Sequence, residues 1–245
     1  MAAHPLAAAT AATSAPTVST TLGAATPADS AQTAANRFLH SFSASFDATL
    51  ASRYLFQGID YSDGKSVLQP NLQISHGPIT GVAWANYQPD LGDVNEVDLS
   101  LQASHTIQSV SGTAGYTYLR YPNRVGWDPS QEVFANLLVA VPLNPTLSVH
   151  YDFDAGDGSY STLGLSQTFA SLVTIGSNLF YQSHYYGMTG IPSVEFKASA
   201  TFPYAGMSLT PSVSRFATRD NADFSGPGAQ IPQGWLVSLN VVPRP

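Results

Sequence analysis

The sequence has no cysteine, few charges and no long apolar run. Because none of its 245 residues is cysteine, a disulfide scaffold, a zinc–thiolate site and a cysteine nucleophile are all excluded. Charged residues make up 10% of the chain, and 9 Lys or Arg against 16 Asp or Glu give a net charge of −7. A chain so poor in basic residues is a weak candidate for nucleic-acid binding, and we expect none.

The best candidate for an apolar membrane helix, residues 133–143, is interrupted by Asn136 and Pro142. It is much shorter than the roughly 20 apolar residues that a membrane helix needs. A strand of an outer-membrane β-barrel needs only about 9–11 residues. Scarcity of long apolar runs therefore argues against a helical membrane protein and leaves the barrel class open.

Residues 1–41 differ in composition from the rest of the chain. Positions 1–36 are mostly Ala, Thr, Ser and Pro, Asp29 is their one acidic residue, and no Lys or Arg precedes Arg37. Such a tract buries too little apolar surface to offset its chain entropy. We expect either a disordered linker or the remnant of a secretory signal, and composition does not decide between them. The folded domain is predicted to span residues 42–245.

From residue 42 onward, apolar and polar residues alternate with a period of two. Val97, Leu99 and Leu101, for example, alternate with polar or acidic neighbours, which is the pattern of a strand with two different faces. No segment has a clear helical period. The predicted fold is all-β, a transmembrane antiparallel up-and-down β-barrel of about 12 strands. The predicted strands are 44–57, 67–76, 79–87, 95–106, 109–121, 131–142, 146–154, 159–169, 172–186, 192–202, 206–216 and 234–242.

The connections between these strands alternate between short and long. Longer loops are predicted at 58–66, 88–94, 122–130, 155–158, 187–191 and 217–233, and tight turns separate the other pairs. Bacterial outer-membrane barrels have short periplasmic turns and longer external loops. Starting with a long loop fits a barrel whose two termini are periplasmic. We therefore expect the bacterial outer membrane as the location.

Alternation alone also fits a soluble barrel, which is apolar inside. Two features favour the membrane form: the polar face carries few charges, and aromatic residues gather near the loop ends of the strands, as in an interfacial girdle. The aromatic set is Tyr54, Phe56, Trp84, Tyr87, Tyr118, Tyr121, Tyr151, Phe153, Tyr185, Tyr186, Phe216 and Trp235. Arg120 and Arg215 fall on the apolar face at predicted outer ends. They are expected either to snorkel or to contact lipid and lipopolysaccharide.

One segment resembles a known family. Residues 52–65 read Ser-Arg-Tyr-Leu-Phe-Gln-Gly-Ile-Asp-Tyr-Ser-Asp-Gly-Lys, and Val67, Leu68 and Gln69 follow. This resembles the first strand and loop of the TorF family of proteobacterial porins, whose pattern is Ser-x-Tyr-x-Phe-Arg-Gly-Ile-x-x-Ser. Gln57 stands where that family has Arg. The resemblance implies an outer-membrane porin barrel over about residues 44–242 and supplies no catalytic residue.

The polar face is the predicted pore lining. Its charged or ionisable members are Asp47, Arg53, Glu96, Asp98, Glu132, His150, Asp152, Asp154, Glu195 and Lys197. Acidic groups dominate this set, so we expect passive diffusion of small hydrophilic solutes or ions with weak cation selectivity. The expected partners are those solutes, outer-membrane lipid and lipopolysaccharide, and the barrel-assembly machinery. The alternative is a closed barrel with a structural or adhesive role that acts through its external loops.

Two other chemistries are disfavoured by the sequence. Ser148, His150 and Asp152 share one face, but successive members lie about 7 Å apart along a strand, and no Gly-x-Ser-x-Gly elbow occurs. A lipid-modifying enzyme is therefore the weakest alternative, and no catalytic residue is assigned. Residues 152–158 resemble a calcium loop, but Gly156 and Leu163 occupy positions that normally supply ligands. A hairpin tip is favoured there, and no metal or cofactor is expected.

Overall fold

The computed structural model describes residues 42–218 and 234–244. The predicted region 1–41 and most of the predicted loop 217–233 lie outside them. No helix in the described part of the chain is long and apolar enough to cross a membrane. The strands are β1 (Phe42–Ala51), β2 (Leu55–Phe56), β3 (Ile59–Asp60), β4 (Val67–His76), β5 (Ile79–Gln88), β6 (Asp93–Ile107), β7 (Val110–Arg120), β8 (Ser130–Val139), β9 (Thr146–Asp152), β10 (Gly158–Phe169), β11 (Val173–Tyr185), β12 (Met188–Gly190), β13 (Ser193–Ala200), β14 (Phe202–Tyr204), β15 (Met207–Thr218) and β16 (Trp235–Pro243).

The strands form a closed barrel with twelve positions in its wall. Each wall strand pairs antiparallel with its neighbours in the chain, and β13 and β14 share one position. The last strand, β16, pairs with the first, β1, so that Leu50 lies opposite Leu239. The short strands β2 and β3 form a separate hairpin, and β12 pairs only with β11. The predicted closed antiparallel barrel of about twelve strands is confirmed.

Long and short connections lie at opposite ends of the barrel, which we call the loop end and the turn end. The turn between β10 and β11 is an example of a short connection. Ala170 and Ser171 have φ of 50° and 55°, the left-handed conformation that matches the twist of a tight hairpin. Phe169 and Val173 then pair directly across it. Most of the described connections follow the predicted alternation of lengths, but the turn-end connection 140–145 between β8 and β9 has six residues and the loop-end connection 153–157 between β9 and β10 has five.

The outer surface of the barrel wall is apolar, and many of the side chains that the wall strands direct into the lumen are polar. Leu101, Ile175 and Phe196 point outward and are 55–60% exposed. Their neighbours in sequence, such as Gln102 and Glu195, face the lumen and are buried. An apolar outer face is typical of a membrane barrel, whereas a soluble barrel has a polar outer face.

The first wall strand is shorter than predicted. The prediction extended it to residue 57, but β1 ends at Ala51 and the chain then leaves the wall. The alternation of apolar residues continues through Tyr54 and Phe56 because these side chains also become buried, inside the barrel rather than in its wall. The alternation of apolar residues therefore continues beyond Ala51, where the wall strand ends.

Candidate functional site in the barrel lumen

Residues 52–66 are here called the inward segment, because the chain from Ser52 to Ser62 folds into the lumen and only residues 63–66 are exposed at the loop end. Its apolar residues Tyr54, Phe56, Ile59 and Tyr61 are at most 4% exposed. At its tip, the Thr162 hydroxyl donates to Gln57 Oε1 at 3.1 Å, and the Ser193 hydroxyl donates to the Gly58 carbonyl at 3.2 Å. Because these partners lie on β10 and β13, the inward segment spans the lumen from the side where β1 and β4 meet.

Aromatic rings from the wall surround the inward segment. Phe56 packs edge-on against Tyr160, with ring centroids 5.1 Å apart, and Tyr54 lies 5.8 Å from Trp84. Tyr185 closes the same cluster against Tyr160 at 4.7 Å. Offset and edge-to-face contacts of this kind each add about 0.5–1.5 kcal/mol beyond the burial of the ring. The main hydrophobic core of this barrel is therefore inside its lumen.

This packing corrects the predicted aromatic girdle. Half of the residues assigned to it are buried inside the barrel: Tyr54, Phe56, Trp84, Tyr121, Tyr185 and Phe216. Others do face outward at the loop end, among them Tyr151, Phe153 and Trp235, each about half exposed. Sequence position places an aromatic residue near a strand end, but it does not distinguish a ring that meets the exterior from one that fills the lumen.

A carboxylate organises the inward segment from within. Asp60 accepts hydrogen bonds from the backbone and hydroxyl of Ser62, at 2.9 and 3.0 Å, and from the Gly64 backbone at 3.0 Å. Arg53 donates to the same carboxylate at 3.4 Å, and Ser62 Oγ in turn accepts from the Tyr54 backbone at 2.7 Å. These contacts all lie within the inward segment, so they hold its hairpin together without a partner from the wall. Arg53 therefore belongs to the inward segment, not to a wall strand as predicted.

The inward segment is also tied to a loop at the loop end. Arg124 donates to the Tyr61 carbonyl at 2.7 Å, and the Tyr61 ring lies 6.0 Å from Trp127. Burial, reinforced by the charge of Glu96, raises the pKa of Tyr61 above its ordinary value. The neutral phenol is thus the form that this packing favours.

Luminal side chains are mostly buried near the loop end and more exposed toward the turn end. On β6, Glu96, Asp98 and Gln102 are buried, Ser100 is half-buried, and Ser104 and Thr106 are exposed. Most of the other wall strands follow the same trend, whereas the luminal residues of β16 are half-buried along its whole length. The lumen is therefore packed in its loop-end half and open in its turn-end half.

Most of the predicted pore-lining residues share the luminal face, but their environments differ. Those in the packed half are Glu96, Asp98, Glu132, His150, Asp152 and Glu195, all buried. In the open half, Asp47 accepts from Asn71 at 2.7 Å and Asn240 at 2.9 Å, and Lys197 is exposed. Among residues 42–218 and 234–244, Lys197 is the only lysine or arginine on the luminal face of a wall strand.

Asp154 does not face the lumen. The chain leaves β9 after Asp152, and the exposed Asp154 carboxylate accepts from Gln131, whose side chain is on the outer face of β8. The turn that follows β9 thus carries Asp154 to the outer rim. The Asp152 carboxylate accepts hydrogen bonds from the Ser130 hydroxyl and the Asp154 backbone. In the segment that resembles a calcium loop, this carboxylate therefore stabilises a hairpin tip.

Ser148, His150 and Glu132 form a hydrogen-bonded cluster in the lumen. His150 Nε2 lies 3.0 Å from Ser148 Oγ, and His150 Nδ1 lies 2.8 Å from Glu132 Oε1. The expectation that Ser148 and His150 are too far apart for contact is wrong. Backbone spacing along the strand is about 7 Å, but the imidazole leans along the strand and bridges it.

Arg120 and Arg215 lie on the outer face at the loop end, as their phase predicts. Arg215 is exposed, and its guanidinium lies 5.6 Å from the Trp235 ring centroid, across the β15–β16 pair. Arg120 borders a shallow outer groove formed with Val97, Leu99, Tyr118 and Pro122. These positions combine a cation with an apolar surface, which suits a membrane interface.

The fold has a counterpart among solved structures. The KdgM porin, solved in complex with disordered oligogalacturonate, is similar with a TM-score of 0.50 and 12% sequence identity, and the match covers 81% of this chain and 98% of that chain. At this identity the likeness establishes the barrel fold. No family model and no curated protein matches the sequence. The resemblance to the TorF family therefore rests on residues 52–69 alone.

Proposed function

We propose that this chain is a porin-like channel of the bacterial outer membrane, through which small hydrophilic solutes or ions diffuse passively. The observation that carries the proposal is the distribution of polarity in a closed wall. The outer surface is apolar, while polar and charged side chains line the lumen. Such a barrel suits a lipid exterior and a hydrated interior. The KdgM porin fold is in keeping with this function.

We further propose weak cation selectivity, because acidic groups dominate the lumen. Asp47, Glu96, Asp98 and Glu195 face it from several wall strands, against the single wall cation Lys197 among the described residues. Rings of acidic side chains favour cations in a pore. Oligogalacturonate, present in the KdgM porin structure, carries repeated carboxylates that this lumen would repel. Small cations and neutral solutes are therefore the proposed cargo.

In this proposal the inward segment sets the conductance. It contacts the wall on the far side of the lumen and contributes to the packed loop-end half. A solute that crosses the whole barrel must pass this level. Conduction therefore requires the tip of the inward segment to move away from β10 and β13.

The test is ion current through the full chain in a planar bilayer under a salt gradient. We expect discrete openings whose reversal potential favours cations. Glu195→Gln keeps a side-chain oxygen that can accept the hydrogen bond from Asn178 but removes one luminal charge. It should therefore move the reversal potential toward zero. Asp154→Asn removes one charge from the outer rim and is the matched control. Anion-favouring openings, or equal shifts in the two variants, would contradict the proposed selectivity.

A second function is favoured by the packing of the loop-end half. Ile59, Leu119 and Tyr185 have no measurable exposure, as expected for a structural or adhesive barrel that does not conduct. In that case the inward segment is a permanent part of the core and the external loops carry the function. Folded, inserted protein without any opening, together with a loss of surface binding when the external loops are shortened, would favour this alternative.

Contacts with the membrane are also part of the proposal. We propose that Arg120 and Arg215, on the outer face at the loop end, contact lipid or lipopolysaccharide headgroups. Insertion of any such barrel requires the barrel-assembly machinery, which remains an expected partner.

A further inference from the structure

The cluster around His150 has the connectivity of a Ser-His-acid triad. Ser148 Oγ lies 3.0 Å from His150 Nε2, and Glu132 Oε1 lies 2.8 Å from His150 Nδ1. In such a triad the acid fixes the imidazole tautomer, and the other ring nitrogen removes the hydroxyl proton. Each atom needed for this relay is present, on the adjacent strands β8 and β9.

The imidazole is held rigidly. Its ring stacks between Phe134 and Tyr160, at centroid distances of 5.2 and 4.5 Å and interplanar angles of 18° and 15°. The Tyr160 hydroxyl donates to Glu132 Oε2 at 2.6 Å, which leaves Oε1 for the histidine. The ring and the carboxylate are thus fixed by packing and hydrogen bonds, as a preorganised general base requires.

The serine lies where the packed lumen meets the open lumen. The row that contains His150, with Phe134 and Tyr160, is buried. The next row toward the turn end contains Ser148 between Asn136 and Thr162, and all three are half-buried. A buried base beside a nucleophile at the edge of an open chamber is the arrangement of an esterase site.

We propose that Ser148, His150 and Glu132 form a hydrolytic triad that cleaves small neutral or cationic carboxylic esters entering the lumen from the turn end. The acidic wall disfavours anionic esters. This activity goes beyond the proposed channel and does not depend on ion conduction, because the turn-end half of the lumen is open in the present conformation.

The reaction needs only the ester and water. Ser148 Oγ bonds to the acyl carbon while its proton passes to His150 Nε2, and the bond from that carbon to the alkoxy oxygen breaks as His150 returns the proton to the leaving alcohol. Water then gives a proton to His150 and attacks the acyl carbon. The bond to Ser148 breaks, the acid leaves, and the serine oxygen recovers the proton.

Asn136 is the candidate stabiliser of the transient oxyanion. At rest the Ser148 hydroxyl donates to Asn136 Oδ1 at 2.5 Å, so this amide must turn before the proton can pass to His150 Nε2. Rotation of the amide directs its N–H toward the carbonyl oxygen of a bound ester, which is the role of a side-chain oxyanion donor.

The test uses full-length folded protein with p-nitrophenyl acetate and a fluorophosphonate probe. We expect ester hydrolysis that Ser148→Ala lowers by at least about 100-fold, because the variant has no nucleophile to form the acyl-enzyme. Glu132→Gln, which keeps the size of the side chain, should also lower it. Ser100→Ala is the matched control, because Ser100 is a half-buried luminal serine that shares a hydrogen bond with Thr117 on β7.

Mass mapping of the probe should find the adduct on Ser148. Heat-modified gel mobility establishes that each variant is folded, so loss of activity is separated from loss of structure. Folded wild-type protein that neither hydrolyses the ester nor reacts at Ser148 would overturn the triad, as would equal activity in Ser148→Ala. Bilayer current is recorded separately, so failure of the triad is distinguishable from failure of the channel.

Discussion

Gly58→Ala should release the tip of the inward segment from the wall. Gly58 has φ of 74°, and a Cβ there would overlap Ser193 Oγ and lie 3.0 Å from Phe180 Cδ2. Turning the serine aside breaks its hydrogen bond to the Gly58 carbonyl, a loss of about 1 kcal/mol. The left-handed backbone costs a residue with a Cβ about 1 kcal/mol more.

The sum, about 2 kcal/mol, corresponds to roughly a 30-fold shift away from the packed conformation. Open probability in planar bilayers measures that shift directly. Gly64→Ala is the matched control, because Gly64 has φ of 71° but nothing lies within 4 Å of its added Cβ. The control carries only the backbone cost of about 1 kcal/mol, or roughly 5-fold. Equal open probability in the two variants would refute the role given to the contact with Ser193.

Two further predictions concern the wall and the pH response. Gly158→Ala places a Cβ against the Tyr185 backbone nitrogen and 2.7 Å from the Ser183 carbonyl oxygen. The free energy of unfolding in urea should therefore fall by about 3 kcal/mol. In the control Gly112→Ala, the added Cβ meets nothing within 4 Å, so the unfolding midpoint should stay almost unchanged. Because burial raises the pKa of Tyr61, the stability that its neutral form provides is complete below about pH 10 and is lost as pH rises through the raised pKa. Open probability should therefore increase above about pH 10, and an equally steep increase in Tyr61→Phe would show that another group is responsible.

The wall could be predicted from sequence because two independent signals coincide there. Period-two alternation locates each strand, and turn residues such as Gly77, which has φ of 56°, and Pro78 separate β4 from β5. Closure pairs the first and last wall strands, β1 and β16, and so leaves no edge of the barrel wall unpaired. Pro70 and Pro211 stay inside wall strands, opposite Ala48 and Leu239, although proline weakens a ladder.

The inward segment could not be predicted, because burial in a packed lumen and contact with lipid select the same residues. Tyr54 and Phe56 continued the alternation of β1 into a hairpin that is not part of the wall. Ile59, an apolar residue within the predicted external loop 58–66, was the available signal. The contact between Ser148 and His150 was missed for a different reason: it depends on how a long side chain leans along its strand, which backbone spacing does not specify.

The most direct test of a channel closed by its inward segment is a disulfide that locks this segment to the wall. Such a disulfide can be introduced without competition, because the sequence has no native cysteine. A Cβ at Gly58 lies 3.3 Å from Ser193 Cβ, close to the separation of roughly 3.5–4.5 Å in disulfides. The full chain carrying Gly58→Cys and Ser193→Cys therefore has one available pair, whose oxidation a gel shift or mass measurement verifies. The account predicts a silent bilayer when the pair is oxidised and discrete openings after reduction. Identical currents before and after reduction, or no current in either state from inserted protein, would contradict it.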